Sequence, residues 1–134
     1  MNRTLLIIKP DATGRRLVGR IIDRLERAGF DIVRMKMVRL TEAEARRFYA
    51  VHEGKPFLDS LVAFMSSGPV VPMVLEKGNA VEDLRMLIGA TNPENAACGT
   101  IRQEMALSVE KNSVHASDSN ENAATEIAFF FGQD

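Results

Sequence analysis

Cysteine, tryptophan and tyrosine are scarce in this chain of 134 residues, which has one cysteine, no tryptophan and one tyrosine. Cys98 has no partner for an internal disulfide bond, and no histidine or cysteine spacing predicts a zinc cluster. The longest apolar run near the start, Leu5–Ile8, is far shorter than the roughly 20 residues that span a membrane, and too short for a signal peptide. We therefore expect no membrane partner and a cytoplasmic location.

Neither sign of charge dominates, because the formal net charge is −1. Residues 1–67 carry 13 Lys and Arg against 8 Asp and Glu, whereas residues 68–134 carry 4 against 10. The arginines of the first half are spread through amphipathic segments, so they do not form a nucleic-acid-binding tail. An apolar content of 46% and a charged content of 26% are ordinary for a globular protein. The length predicts a single domain over residues 1–134.

The sequence also lacks the common phosphate-binding and nucleophile motifs. It contains no G-x-x-x-x-G-K-S/T loop, no G-x-G-x-x-G and no serine in a nucleophile elbow. No paired aromatic residues stand at alternate positions of the predicted central strands, which disfavours an RNA-binding sheet surface. Any phosphate must therefore be held by side chains, and the candidate cations are Lys9, Arg85 and Arg102. Spacing alone leaves open that each is a surface residue or an ion-pair partner.

The first 40 residues predict a β-α-β unit, from the segments Thr4–Lys9, Val18–Leu25 and Asp31–Arg39. The first segment is a continuous apolar run closed by Pro10, which is typical of a strand buried on both faces. The second has apolar residues at i, i+3, i+4 and i+7, as in an amphipathic helix. The third alternates, and predicts a strand that buries Val33, Met35 and Met37 on one face.

The middle of the chain predicts two helices inserted between strands. Thr41, followed three residues later by Glu44, matches a capping box that begins the first helix. The helical stripe of the second covers Leu58–Met65. A strand follows at Val70–Leu75, where Pro72 predicts a bulge or a locally unpaired position.

The last third predicts a helix, a loop, a short mixed segment, a brief Ala-rich helix and a final strand. Asn79 and Glu82 indicate the start of the first of these helices, which ends at Gly89, and the final strand is predicted at Ile127–Phe131. The element order predicts an α+β fold: a ferredoxin-like split β-α-β sandwich with a four-stranded antiparallel sheet, helices on one face and an inserted helical hairpin.

One of the two histidines, His115, lies in the polar segment Asn112–Ser119. Imidazole is a good neutral nucleophile near pH 7, because its unperturbed pKa is about 6.5. Such a histidine is either a nucleophile or a hydrogen-bonded polar residue with no chemical role. In the second case the chain is a binding module that recognises a small anion or a partner.

Six segments occur in the order seen in nucleoside diphosphate kinases: Ile8–Asp11, Tyr49–Phe57, Ser67–Val70, Gly89–Pro93, Gly99–Arg102 and Asn112–Ser119. The resemblance extends from about Arg3 to Phe131. It implies a ping-pong enzyme in which His115 takes the γ-phosphate of a nucleoside triphosphate and passes it to a different nucleoside diphosphate. A base held mainly by stacking implies broad base specificity.

The resemblance also implies roles for individual side chains. His115 is similar to the family's phosphorylated histidine, which reacts through Nδ1. The groups that resemble the β- and γ-phosphate contacts are Lys9, Arg85, Thr91 and Arg102. The nucleoside contacts are Lys9 and Asn112 at the ribose, with Phe57 and Val109 on the two faces of the base. The supporting residues are Tyr49, which helps to place the lysine, and Ser117 and Glu126, which fix the imidazole.

Two further expectations concern metal and assembly. Mg²⁺ is expected to arrive with the nucleotide, bridging phosphate oxygens, because no cluster of carboxylates predicts a metal site built by the protein. The resemblance implies nucleoside di- and triphosphates as partners and a homo-oligomer, either a tetramer or a hexamer. Two positions depart from the family pattern without removing a catalytic group: Ala116, where glycine is frequent, and Cys98, where proline is frequent.

Overall fold

The computed structural model describes residues 2–132, in which one antiparallel sheet has the strand order β2-β3-β1-β4. The strands are β1 (Asn2–Ile8), β2 (Asp31–Met35), β3 (Val71–Lys77) and β4 (Val114–Ala116). The helices are α1 (Pro10–Gly14), α2 (Val18–Arg27), α3 (Glu42–Phe48), α4 (Leu58–Met65), α5 (Ala80–Ile88), α6 (Ile101–Met105) and α7 (Asn120–Phe131). Single 3₁₀ turns lie at Ala50–His52 and Pro93–Asn95. The predicted α+β fold with a four-stranded antiparallel sheet and an inserted hairpin, α3–α4, is confirmed.

Strand β1 lies inside the sheet and is buried on both faces. Leu6 and Ile8 pack into a core with α2 and α5, whereas Leu5 and Ile7 pack into a second core with α3, α4 and α7. Helices therefore cover both faces, and the prediction of helices on one face was wrong. The reason is visible in β1 itself, because a strand without polar alternation needs cover on both sides.

The predicted last strand, Ile127–Phe131, is the end of helix α7. Ser119 caps that helix by accepting a hydrogen bond from the backbone N–H of Asn122 at 3.0 Å, and the helix continues from there through the apolar run. The edge position next to β1 is taken by β4, only three residues long, which pairs with Leu6–Ile8. Short apolar runs do not by themselves distinguish helix from strand, and here the preceding cap decides for helix.

Strand β2 is shorter than predicted, and the three side chains predicted to be buried on one face are exposed. Val33, Met35 and Met37 are exposed, while Ile32 packs partly against the core. The pairing with β3 shifts register between Ile32 and Arg34, so the alternation in the sequence does not continue uninterrupted through the strand.

Two other local predictions are confirmed. Thr41 and Glu44 form a complete capping box at the start of α3. Pro72 lies within β3, and its carbonyl accepts a hydrogen bond from the N–H of Lys36 just beyond the end of β2. Pro72 has no N–H to return to Lys36, so this pair keeps a single hydrogen bond. Pairing resumes beyond it, where Val38 and Val70 exchange backbone hydrogen bonds of 2.9 and 2.8 Å.

None of the helices within residues 2–132 has the length and apolar character that crossing a membrane requires. The predicted domain also includes residues 1 and 133–134, which lie outside the described residues. A single domain over 1–134 stays a prediction.

Candidate active site

A cavity of about 810 Å³ opens next to β4, between the helical hairpin and the segments that precede β4. Ten of the eleven residues singled out in the sequence line it: Lys9, Tyr49, Phe57, Arg85, Thr91, Arg102, Val109, Asn112, His115 and Glu126. The eleventh, Ser117, is buried and hydrogen-bonded to Glu126. The fold thus gathers residues from both ends of the chain around one imidazole.

His115 is held at its Nε2 atom. As the central residue of β4, it pairs with Ile7 of β1. Its Nε2 lies 2.9 Å from Oε1 of Glu126, and the hydroxyl of Ser117 donates to the same oxygen at 2.7 Å. Within the described part of the chain, Nδ1 has no hydrogen-bond partner. A carboxylate at Nε2 favours the tautomer with its proton there, which leaves the Nδ1 lone pair available.

Lys9 lies at the end of β1 and is only 6% exposed. Its ammonium donates to the Asn112 side-chain oxygen at 2.9 Å and to the Glu110 carbonyl at 3.3 Å. The Asn112 amide in turn donates to the Thr91 carbonyl at 3.2 Å. Burial, followed by the nearby Arg102 guanidinium, lowers the pKa of Lys9 to about 8.

Two arginines donate to the backbone carbonyls on either side of His115. Arg102, from α6, donates to the Val114 carbonyl at 2.8 Å, and Arg85, from α5, donates to the Ala116 carbonyl at 3.3 Å. Burial and the Arg85 charge together lower the pKa of Arg102 to about 10, which still leaves it cationic at neutral pH. Among the described residues, its buried Nε atom has no hydrogen-bond partner, a state that favours an incoming acceptor.

Phe57 and Val109 are exposed apolar side chains in the lining of the cavity. The Phe57 ring meets the His52 ring edge-on at 5.1 Å, and the Lys55 ammonium lies 5.9 Å from its centre. An aromatic face in such a position offers a flat surface for a nucleobase.

Tyr49 does not contact the lysine through its hydroxyl. The hydroxyl is buried without a hydrogen-bond partner among the described residues, while Lys9 bonds to Asn112 and Glu110. Its ring lies edge-on to His115 at 6.1 Å and edge-on to Phe48 at 4.9 Å, and it stacks on His52 at 6.2 Å. Burial, and the charge of Glu126, raise the pKa of Tyr49.

Sequence patterns missed several residues that the fold adds to this region. Arg47, Asp118 and Asn122 line the cavity, and the Asn122 amide donates to the Asp118 carboxylate at 2.5 Å. Asp118 lies inside a segment that the sequence had marked, although nothing in the sequence gave it a role. Arg47 comes from α3 and lies over the Phe129 ring of α7, a contact that only the tertiary structure reveals.

Cationic side chains outnumber carboxylates in the lining of the cavity. The cations are Lys9, Arg47, Arg85 and Arg102, and the carboxylates are Glu110, Asp118 and Glu126. Among residues 2–132, no group of three His, Cys, Asp or Glu side chains is arranged to hold a metal ion.

Comparison with known proteins gives a consistent result. The family model described as nucleoside diphosphate kinase matches residues 2–134. The nucleoside diphosphate kinase of Chlorobaculum parvum is 60% identical over 131 residues, covering 98% of this chain and 94% of that protein. That of Geobacter sulfurreducens is 54% identical over 133 residues, covering 99% and 97%.

Solved structures agree with the sequence relatives. The crystal structure of the Aquifex aeolicus nucleoside diphosphate kinase has a TM-score of 0.95 at 47% identity, covering 97% of this chain and 94% of that one. The Halobacterium salinarum enzyme in complex with CDP also has a TM-score of 0.95, at 43% identity, covering 99% and 89%. The chain therefore belongs to the nucleoside diphosphate kinase family, enzymes that transfer phosphate between nucleotides.

Proposed function

We propose that His115 is the residue of this chain that carries the phosphoryl group. The observation that supports this most directly is the asymmetry of its ring: Nε2 is tied to Glu126, and Nδ1 has no hydrogen bond among the described residues. The same cavity is lined by Lys9, Arg85 and Arg102, whose charges suit a polyphosphate.

The transfer proceeds in two half-reactions at one site. In the first, Nδ1 attacks the γ-phosphorus of a nucleoside triphosphate, an N–P bond forms, and the bridging O–P bond breaks. The nucleoside diphosphate leaves with that electron pair. In the second, a β-phosphate oxygen of another nucleoside diphosphate attacks the phosphorus of phosphohistidine, and the N–P electrons return to the ring. The positive charge that develops on the imidazole is offset by Glu126 at Nε2.

The phosphate contacts assigned to this mechanism are Lys9, Arg85, Thr91 and Arg102. They compensate the negative charge that the transition state spreads over the phosphoryl oxygens. The Arg102 Nε, which is buried and has no hydrogen-bond partner within residues 2–132, adds a donor that a phosphate oxygen can satisfy. Lys9 and Asn112, already bonded to each other at 2.9 Å, are the proposed contacts to the ribose hydroxyls.

Base recognition is proposed to rest on stacking. Phe57 and Val109 are apolar and exposed, and a base between them gains stacking without being read at its hydrogen-bonding edge. This arrangement accepts purines and pyrimidines alike. The relative from Halobacterium salinarum, a structural match, was solved with the pyrimidine nucleotide CDP.

Mg²⁺ is proposed to enter with the nucleotide. The cavity presents three cations to the phosphates, a donor set that suits a metal-bound polyphosphate better than a bare metal ion. When bound with the nucleotide, the metal would neutralise part of the phosphate charge. Lys9, Arg85 and Arg102 would hold phosphate oxygens of the metal-bound nucleotide.

The extent of the domain, the oligomeric state and the cellular location are proposed from the family resemblance. We expect a single domain over residues 1–134 that assembles as a homo-oligomer, a tetramer or a hexamer, and works in the cytoplasm. Light scattering of the purified protein distinguishes the two assemblies.

The test of the phosphate carrier is covalent labelling. After brief exposure to ATP labelled at the γ-phosphate, the protein should hold acid-labile, base-stable phosphate that any added nucleoside diphosphate discharges. His115→Ala should lose the label and the turnover yet still bind ADP, because the imidazole reacts rather than anchors. His52→Asn, which alters the only other histidine, should keep the label. Label that persists in His115→Ala, or a folded wild type that takes none, contradicts the proposal.

A further inference from the structure

The segment Asn112–Val114 makes a tight turn just before the proposed phosphate carrier. The Val114 N–H donates to the Asn112 carbonyl at 2.9 Å, and Ser113, between them, has φ of +75°. This combination is a γ-turn with a left-handed central residue, which is rare and strained for a residue with a Cβ. Such strain persists only where the surrounding structure holds it.

The turn brings two functional side chains to one cavity. In β4, Val114 and Ala116 pack into the core with α2 and α5, while His115 points to the opposite side. If β4 continued as a regular strand, the Asn112 side chain would point to the same face of the sheet as Val114, away from His115, because successive side chains alternate between the faces. With the turn at Ser113, Asn112 and His115 both line the cavity, and Asn112 reaches Lys9.

A buried carboxylate holds this turn. The Asp11 side chain is 2% exposed, and its two oxygens accept from the Ser113 N–H and the Ser113 hydroxyl, both at 3.3 Å. Arg15 orients the carboxylate by donating to it at 3.1 Å and to the Met105 carbonyl at 2.7 Å. The Lys9 N–H donates to the Ser113 carbonyl at 2.9 Å, so the left-handed residue is bonded at its N–H, its C=O and its hydroxyl.

We infer that Asp11 is a positioning residue for phosphoryl transfer, acting by holding Ser113 in the left-handed conformation that sends Asn112 and His115 into the same cavity. The inference rests on the proposed role of His115. Asp11 itself is absent from the lining of the cavity, so its effect travels through the backbone of residue 113.

The first measurement is single-turnover phosphorylation of Asp11→Asn. The variant keeps the shape of the side chain, but its amide turns N–H groups toward Arg15 or Ser113 where the carboxylate accepts. We expect the rate of phosphohistidine formation to fall by about 10- to 100-fold, the range typical of losing a group that orients a metal-binding side chain. The dissociation constant for ADP should change less than this rate, because the phosphate-binding arginines are untouched.

The second measurement asks whether the effect passes through φ of residue 113. Glycine adopts positive φ freely, whereas alanine carries the same Cβ restriction as serine. In the Ser113→Gly background, Asp11→Asn should lower the rate by less than about threefold; in the Ser113→Ala background, it should show its full effect. Ser113→Ala also removes the hydroxyl, so this pair separates the backbone role of Asp11 from its bond to that hydroxyl.

A matched control is available on α2. Asp23 and Arg27 form an ion pair four residues apart, as Asp11 and Arg15 do, but on the exposed surface. Asp23→Asn should leave the phosphorylation rate unchanged. If Asp11→Asn does not fold, Arg15→Gln takes its place, because it removes the guanidinium that donates to the Asp11 carboxylate at 3.1 Å. Arg15 also donates to the Ser113 hydroxyl at 3.4 Å, but both the glycine and the alanine backgrounds lack that hydroxyl. Arg15→Gln should therefore show a smaller effect with the same dependence on residue 113.

Equal effects of Asp11→Asn in the glycine and alanine backgrounds, or no effect in the wild-type background, overturn the inference. With Arg15→Gln, equal effects in the two backgrounds overturn it likewise. Failure of the proposed function looks different, since the wild-type protein would then take no label on His115. The two failures are thus distinguished in the same assay.

Discussion

The Nε2 atom of His115 and the Oε1 atom of Glu126 lie 2.9 Å apart, across the junction between β4 and α7. The Ser117 hydroxyl donates to the same carboxylate oxygen at 2.7 Å, so the position of Glu126 is fixed from a second side. A carboxylate held in this way both orients the ring and stabilises the positive charge that the ring gains on phosphorylation.

Replacing that carboxylate should slow the chemical step. We expect Glu126→Ala to lower the single-turnover rate of phosphohistidine formation by about 10- to 100-fold. Glu126→Gln should have a smaller effect, because its amide oxygen can still accept from Nε2–H although the negative charge is lost. Rapid-quench labelling measures both rates, and Glu121→Ala, on the exposed first turn of α7, is the control. A Glu126→Ala rate equal to that of the control would remove Glu126 from the mechanism.

How much the sequence predicts differs from one part of the molecule to another. The apolar run Thr4–Lys9 correctly indicates a strand buried on both faces, because it has no alternating polar residues that would predict a solvent-exposed face. The run Ile127–Phe131 has the same character but is helical, because Ser119 had already capped a helix that continues into it. The deciding signal lay eight residues upstream of the misassigned segment.

The candidate site shows a similar division. Residues implied by the family resemblance come together in one cavity, although spacing alone could not bring Lys9 and Arg102 together from separate elements. The link between Asp11 and Ser113 was not predicted, because serine gives no signal for a positive φ and the two residues meet only when β1 and β4 pair. Val33 was likewise predicted to be buried but is exposed. It lies where the pairing of β2 with β3 shifts register, and an alternating sequence pattern gives no sign of such a shift.

Nucleotide affinity should depend on pH through Lys9. Its pKa is lowered to about 8 in the free protein by burial, so the free ammonium loses its proton as pH rises through that value. Bound phosphate favours the protonated form, and binding of ADP at pH 8.5 should therefore be accompanied by proton uptake. Calorimetry in two buffers of different ionisation enthalpy measures this uptake, together with an affinity that weakens above pH 8.

Two lysine variants test whether Lys9 is the group that takes up the proton. Lys9→Gln should bind ADP more weakly at pH 7 and show no proton uptake at pH 8.5. Lys111→Gln, at an exposed position near the site, should behave like the wild type. Equal uptake by Lys9→Gln and wild type would assign the proton to another group.

The proposed stacking role of Phe57 can be tested by comparing how strongly Phe57→Ala binds a purine and a pyrimidine diphosphate. Phe57 is 45% exposed, and truncation to alanine should cost about 1–3 kcal/mol of nucleotide binding, the usual range for one stacked base. The loss should be similar for a purine and a pyrimidine diphosphate, because stacking does not read the edge of the base. Titrations of ADP and CDP against Phe57→Ala measure this, with Met86→Ala, 77% exposed on α5 and outside the cavity lining, as the control. A loss confined to one base would indicate recognition at its edge.

Gly89 should tolerate no side chain, because it ends α5 with φ of +88° and lies against Thr100. A Cβ at this position would lie 2.5 Å from the Thr100 hydroxyl oxygen and 2.8 Å from its Cβ. Thr100 caps α6, which carries Arg102, and the Gly89 carbonyl accepts from Arg102 at 3.0 Å. Gly89→Ala should therefore destabilise the protein by at least about 2 kcal/mol, through backbone strain and overlap, and displace the arginine.

Two measurements check this prediction. Chemical denaturation should show the loss of stability, and kcat/KM should fall further than the remaining folded fraction explains, because Arg102 contacts the carbonyl next to His115. Gly19→Ala is the matched control: Gly19 lies in α2 with open space around it, and alanine there should stabilise the helix by about 0.5–1 kcal/mol. If Gly89→Ala were as stable and active as the wild type, the close contact between Gly89 and Thr100 could not be what fixes Arg102.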